Sequence, residues 1–389
     1  MYNIKLLNKI SPVGTALFDK SVYNVGEDVE NEDGILLRSA DMHSYEMKEN
    51  LLAIARSGAG TNNIPVNDCA EKGIVVFNTP GANANAVKEL AICALLLSCR
   101  KISDAIVWAK SIAGEGDAIP KMVEKGKGQF VGPELAGKSL GIIGLGAIGA
   151  KLANIARSLG MTVYGYDPFI TVDAAWQLKT DIRHALSEEE IYANCDFISM
   201  HIPCNDQTRG KFCAETFAKM KDGVRIINLA RGELVNDDDM AAALESGKVA
   251  CYVTDFPNAK TLAMPGAVCI PHLGASTPES EDNCAKMATE QMIDYLENGN
   301  IKNSVNFPNV AMERSAGSVR LCVIHRNIPN MISTVSAAMA AKGINIENII
   351  SKSKKDFAYT VLDVVGDVSD ATLQHLYEVE GIIRVRVIK

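Results

Sequence analysis

The 389-residue sequence predicts an α/β protein: two doubly wound parallel-sheet domains followed by a small βαββαβ, ferredoxin-like domain. Three observations carry that expectation. Short β-branched apolar runs alternate with helical-period segments through most of the chain. A glycine-rich turn joins one such run to a helix near the middle. The last part of the chain has a strand and helix order of its own. A chain this long is too large for one hydrophobic core, so two or three domains are expected.

In the first hundred residues GILLRSA, LLAIARSGAG and IVVFNTPGA are strand-like, and each ends in a turn. AVKELAICALLLSCRKISDAIVWAK (86–110) then predicts one long helix. It is apolar around most of its circumference, which requires burial on several sides, as at a domain junction or a subunit interface. In the middle, SLGIIGLG (139–146), MTVYGYDP (161–168), DFISMHIP (196–203), VRIINLA (224–230), VACYVTDF (249–256) and AVCIPH (267–272) read as buried strands. KLANIARSLG (151–160) and NDDDMAAALESG (236–247) are helices between them, and the alternation implies a parallel sheet covered on both faces. GNIKNSVNFPNVAMERSAG (299–317) reads as a connector. Beyond it VRLCVIH, NMISTVSAAMAAKG, INIENIISKS, AYTVLDVVG, DATLQHLYEVEG and IIRVRVIK give β-α-β-β-α-β, a unit of about seventy residues able to form a small domain.

Composition excludes several functions. The formal charge of 39 − 47 = −8 argues against a general nucleic-acid or acidic-membrane binder. No apolar run reaches membrane-spanning length, and the start, MYNIKLLNKISP, lacks a signal peptide's apolar segment. The ten cysteines form no CxxC pair and sit mostly in apolar runs, as expected of a reducing cytoplasm rather than a disulfide or zinc framework. The six histidines form neither HxxxH nor HExxH, so no metal site is expected.

Gly144-Leu-Gly-Ala147-Ile148-Gly149 directly follows a strand and opens a helix. Gly144 permits the tight turn, Gly146 lets backbone approach a pyrophosphate, and Gly149 allows helix and strand to pack closely. The helix start offers unpaired N–H groups to phosphate. Asp167 ends the next strand, 18 residues beyond Gly149, where a carboxylate can accept both ribose hydroxyls. This is the pattern of a Rossmann-like dinucleotide site, and the acid repels a 2′-phosphate, so NAD is the expected cofactor.

NLARGELVN (228–236) places Arg231 at the C-terminal end of a buried strand, where open α/β sheets bind ligands. A guanidinium there suits a carboxylate and can polarise the adjacent carbonyl. CIPHLGAST (269–277) places His272 at the end of another apolar run, able to take a proton from a hydroxyl as hydride leaves.

These motifs, in order and spacing, resemble the D-isomer-specific 2-hydroxyacid dehydrogenase family across residues 30–305, with ARSGAGTNNI (55–64) and NTPGANANAVKELA (78–91) matching its substrate-domain motifs. With the C-terminal extension, the resemblance is closest to members that oxidise 3-phosphoglycerate at the entry to serine biosynthesis. It implies a substrate domain of 1–97 with 285–305, an NAD domain of 98–284, a linker of 306–317 and a regulatory domain of 318–389. It implies that His272 takes the C2 hydroxyl proton and that Arg231 binds the carboxylate and the C2 oxygen. Arg56 and the backbone of Ser57, Gly58, Ala59 and Gly60 would hold the substrate, with Arg38 a second candidate that could instead pair a surface acid. Thr79, Thr208, Ala230, Asp255 and Gly274 would line the cofactor with the glycine loop. Family members usually carry a glutamate paired to the histidine; here TDFPNAK (254–260) offers Ala259 or Lys260 at that position, leaving Asp255 as the substitute.

The tail resembles an ACT domain, in which His325, Asn327 and Asn345 would bind L-serine as a feedback effector. The resemblance further implies a homodimer through the NAD domain or a homotetramer. Two other readings compete: another D-2-hydroxyacid dehydrogenase, such as a hydroxypyruvate or 2-oxoglutarate reductase, and a non-catalytic NADH-sensing binding protein of the same fold.

Overall fold

The computed structural model describes the backbone of residues 1–389 and every side chain except those of Asp173 and Asp370. It comprises two compact units, Met1–Asn83 with Glu281–Lys389, and Ala84–Ser280. The boundaries expected at 97 and 285 would cut through the helices Ala84–Cys99 and Pro278–Asn298. The breaks fall instead at the start of the first helix and within the first turn of the second, between Ser280 and Glu281.

The first unit begins with a parallel sheet of β1 (Tyr2–Leu6), β2 (Tyr23–Gly26), β3 (Gly34–Leu37), β4 (Ala53–Arg56) and β5 (Val75–Phe77), in the order β2-β1-β3-β4-β5. Strand alternation sorts its apolar residues onto two faces. Leu36, Ala53, Ala55, Val75 and Phe77 enter one core, while Ile35, Leu37, Ile54 and Val76 enter another. Both faces are thus covered, and the strands are correspondingly apolar along their whole length.

The second unit is a seven-stranded parallel sheet of β6 (Ser139–Ile143), β7 (Thr162–Tyr166), β8 (Arg183–His184), β9 (Phe197–Met200), β10 (Val224–Asn228), β11 (Val249–Thr254) and β12 (Ala267–Cys269). Its order is β12-β11-β10-β9-β6-β7-β8, so the winding reverses between β6 and β9. The expected long helix 86–110 is instead two helices, Ala84–Cys99 and Ile102–Ser111, broken at Arg100–Lys101. A Cβ on Gly132 would stand only 1.8 Å from the Cys99 carbonyl oxygen, so a second chain segment crosses at the helix end. The first helix buries one face in the core with Leu140, Leu152 and Val253, while Cys93 and Leu96 stay exposed.

The tail forms β13 (Val319–Arg326), β14 (Asn345–Lys354), β15 (Phe357–Val365) and β16 (Ile382–Ile388), an antiparallel sheet in the order β14-β15-β13-β16 with two helices, as expected for βαββαβ. Leu321, Val323, Leu362 and Val385 share a core with residues of those helices, among them Val335, Met339 and Leu376. On the other face Cys322, Ile324, Tyr359 and Val361 enter the same core as Phe77, Tyr295 and Phe307. The tail therefore has a core of its own on one face and shares a second core with the first sheet on the other; Phe307 and Val310, within the expected linker, are fully buried. The carbonyls at the end of the Pro278–Asn298 helix explain the docking. Arg386 donates to Tyr295 O (3.2 Å) and Leu296 O (3.0 Å), Arg320 to Asn298 O (2.8 Å), and the Tyr359 hydroxyl to Gly299 O (2.6 Å). Side chains of the tail thus satisfy groups that a helix end leaves unpaired.

Candidate active site

The nucleotide loop has the geometry its glycines require. Gly144 lies at φ +94°, and a Cβ there would meet the His201 carbonyl oxygen at 2.5 Å. A Cβ on Gly149 would sit 2.0 Å from the Gly144 oxygen. Around Gly146 nothing lies within 4 Å, so the space in front of it is open. Gly146 caps the Ala147–Ser158 helix without any side-chain bond, which leaves the first-turn N–H groups of Ala147, Ile148 and Gly149 available to an anion. Asp167 directly follows β7; its two oxygens accept from Leu145 N and Phe169 N, each at 2.9 Å, and each keeps a lone pair for a ribose hydroxyl. These residues fit a dinucleotide.

Arg231 and His272 come together through a third residue. Arg231 follows β10, and its turn is braced by the buried Asn228, whose amide donates to Arg231 O (2.8 Å) and accepts from Ala230 N (3.2 Å) and Arg231 N (3.3 Å). His272 follows β12. Between them the buried Asp255 directly follows β11, and Gly232, Asp255, Phe256 and His272 line one cavity of about 410 Å³. Burial pushes the Asp255 carboxyl above the usual range, while the backbone N–H of Gly274 and the charges of His272 and Arg231 pull it down. One oxygen accepts from Gly274 N (3.2 Å); the other is buried with no partner among the described residues, an open acceptor for a donor carried by a bound molecule.

Among the described residues, neither ring nitrogen of His272 makes a hydrogen bond. Lys260 bonds both oxygens of Asp238 at 2.7 and 2.8 Å, and Ala259 starts a helix. His272 is held otherwise. Its backbone N–H reaches Asp255 O (2.9 Å) and Ile270 O (3.0 Å), and its ring lies 4.8 Å from that of Phe256, tilted by 44°. Phe256 and Asn228 went unnoticed in the sequence, although an asparagine ending the apolar run VRIIN was a usable signal. So did His201, just past β9: burial pulls its pKa down to about 4, its Nε2 meets Ser199 Oγ at 2.9 Å, and its Nδ1 has no partner among the described residues.

The remaining cofactor candidates divide. Thr208 closes a tight turn through Pro203 O (2.7 Å), and Gly274 is tied to Asp255 as above. Thr79 lies in the other compact unit, fully buried, with its N–H on Gly58 O (3.1 Å) and its hydroxyl unpartnered among the described residues. In that unit Arg56 ends β4, and its guanidinium bonds Arg38 O (2.9 Å), just past β3, as well as Gly60 O in its own loop. Ser57 is buried; Ala59 O accepts from Asn78 (2.6 Å). Arg38 pairs with Glu281 at 2.7 Å, the surface ion pair anticipated as its alternative.

In the tail His325 is buried, its ring nitrogens 2.7 Å from Arg326 O and 2.9 Å from Thr360 Oγ1, and burial lowers its pKa. With Asn327, Asn330 and Ser351 it lines a cavity of about 540 Å³. Asn345 does not. It pairs with Val365, whereas His325 pairs with Ala358, seven residues away along β15 or about 24 Å at strand rise.

Residues 93–274 match the family model of the D-isomer specific 2-hydroxyacid dehydrogenase NAD-binding domain. A D-3-phosphoglycerate dehydrogenase of Haemophilus influenzae is 32% identical over 382 residues, 93% of this chain and 88% of that one. The corresponding Escherichia coli K12 protein is 32% identical over 87% of this chain and 82% of its own, and this chain spans 64% of a Bacillus subtilis relative of the same name at 30% identity. An NAD⁺-bound 3-phosphoglycerate dehydrogenase from Entamoeba histolytica superposes with a TM-score of 0.60 at 26% identity, covering 78% of this chain and 98% of that chain. The chain belongs to the D-isomer-specific 2-hydroxyacid dehydrogenases.

Proposed function

We propose that the protein catalyses NAD-dependent oxidation of 3-phospho-D-glycerate to 3-phosphohydroxypyruvate, the first step of L-serine biosynthesis. The observation that carries this reading is the setting of Arg231 and His272 about the buried Asp255 at neighbouring strand ends, in the same unit as the nucleotide loop. NAD, when bound on that loop, supplies the hydride acceptor. Arg231 binds the substrate carboxylate in a fork geometry and draws electron density from the C2 oxygen. His272 takes the C2 hydroxyl proton as the C2 hydride departs, and returns it in the reverse direction. Asp255 favours the imidazolium that forms, in place of the family glutamate. The 57–60 segment and Arg56 hold the phosphorylated end.

The engagement of Arg56 with its own loop favours a second reading, an unphosphorylated 2-hydroxy acid as substrate. NADH formation decides between them, measured with a phosphohydroxypyruvate trap across a pH series. A kcat/KM for 3-phosphoglycerate above those for glycerate and 2-hydroxyglutarate is expected. No NADH from 3-phosphoglycerate at any pH sinks the assignment.

We infer a cytoplasmic enzyme; no described helix is long and apolar enough to cross a membrane. A dimer through the nucleotide unit is supported by the helices Ile102–Ser111 and Ile119–Gly126, which bury no residue, and by the open Ile106, Val107 and Val131. L-serine as effector would contact His325 and Asn327 in one chain. Asn345 would have to come from a second copy, since about 24 Å separates them within one. Unchanged kcat and KM at millimolar serine would end the feedback reading.

A further inference from the structure

A polar cleft of about 360 Å³ lies where the end of β5, the 303–309 segment and the β14–β15 hairpin meet within the first compact unit, sharing only Ser353 of its lining with the His325 cavity. Asn78, Asn303, Asn309, Ser353 and Lys354 supply its polar wall, with Phe307 as apolar backing. No carboxylate is among its lining residues. Lys354 spends one of its three N–H groups on Ser304 O (2.9 Å) and makes no ion pair among the described residues. Burial holds its pKa below the usual lysine value, with the charge of Lys355 adding to the effect. Asn309 Oδ1 accepts from Asn303 N (3.0 Å), which fixes the amide and leaves its NH₂ as a free donor. Asn303 is held at φ +57° and donates to Gln291 (2.7 Å).

A half-buried cation without a counter-charge, ringed by amide and hydroxyl donors, is an electrostatic arrangement that an anion completes. We propose that this cleft binds a small oxyanion, a phosphate or carboxylate group, as a second ligand site beside the substrate loop. The coupling is built into Asn78: its amide holds Ala59 O (2.6 Å), and its own carbonyl is held by Gln291 (3.0 Å). A ligand that pulls on Asn78 therefore acts on the 57–60 segment. That coupling rests on the proposed function, whereas the binding does not.

Trace acylation of the full-length protein's lysines with acetic anhydride, read residue by residue by mass spectrometry, tests the binding without turnover. Inorganic phosphate in the millimolar range, against chloride at matched ionic strength, should saturably slow modification of Lys354 by ~3-fold or more. Lys352 and Lys355, on either side, should be unaffected. Asn309→Ala should weaken the protection while leaving Lys354 itself and the melting temperature in place. Equal slowing of all three lysines, or none, overturns the proposal. 3-Phosphoglycerate separates the two sources of such an anion. If saturating substrate leaves the phosphate effect on Lys354 intact, the site is distinct. If substrate alone protects Lys354 and phosphate only competes with it, the cleft is part of the substrate site and the second site is refuted. In the wild type, phosphate should then shift KM for 3-phosphoglycerate, and Lys354→Met should abolish that shift; a shift persisting in the variant refutes the coupling. Failure of the functional assignment would look different: no NADH formed, with phosphate still protecting Lys354.

Discussion

At φ +35° the His272 backbone occupies the left-handed region, at a cost of ~1–3 kcal/mol for a residue with a side chain. Two carbonyls share its single N–H and hold it there, with the Phe256 ring against the imidazole. Asparagine tolerates that backbone and cannot accept the proton, so His272→Asn should cut kcat by ~10²–10⁴-fold with little change in melting temperature. His272→Val should lose stability as well, because a β-branched residue is strained at positive φ; circular-dichroism melts separate the two. Asp255 gives a prediction with a worked sign. Burial raises its folded pKa above the unfolded value, so its charged form opposes folding at neutral pH, and that cost disappears as pH falls through the raised pKa. Asp255→Asn should therefore raise the melting temperature at neutral pH. It should also move the acidic limb of kcat/KM, because a negative charge is removed from the site. An unmoved limb would remove Asp255 as the substitute for the family glutamate.

At the scale of elements, the strand–glycine–helix unit separates two roles that look alike in sequence. A Cβ at residue 149 would meet backbone oxygen at 2.0 Å, whereas one at residue 146 would meet nothing within 4 Å. Gly149→Ala should thus destabilise the unit by ~1–3 kcal/mol and displace the loop. Gly146→Ala should leave the melting temperature unchanged and weaken NADH binding, read by nucleotide fluorescence. Most elements were legible because buried parallel strands are continuous apolar runs ending in turns. The helix break at Arg100–Lys101 was not, since neither residue is a helix breaker; the crossing of Gly132 against Cys99 is a contact between residues far apart in sequence.

Over the whole molecule, the tail's docking rests on charges buried in an otherwise apolar junction. Arg320 and Asp363 are both fully buried and 2.7 Å apart, and Arg320 also serves three backbone carbonyls. Burial alone would push Asp363 up; hydrogen bonds from Arg320 and Ser315 outweigh it and hold the carboxyl below the usual range. A depressed folded pKa adds stability above the unfolded value of ~3.9, lost as pH falls through the folded one. Arg320→Met should cost ~3–5 kcal/mol at neutral pH by stranding Asp363, with a double Arg320→Met, Asp363→Leu variant recovering part of it. Unfolding melts followed from neutral pH to below ~4 should show the single variant's deficit shrinking as Asp363 protonates.

The chain's own residues determined the fold class, the dinucleotide loop, the strand-end placement of Arg231 and His272, and the βαββαβ order of the tail. All are local: period, turn chemistry and spacing act within a few residues. Tertiary structure alone decided that Asp255 lies buried between Arg231 and His272, that Phe256 rather than a carboxylate packs on the histidine, and that Arg56 closes on its own loop. It also decided that the tail shares a core with the first sheet, and that Asn345 stands far from His325. Those facts depend on which strand ends become neighbours and which side chains lose their water, and burial and proximity of that kind arise only when distant segments pack.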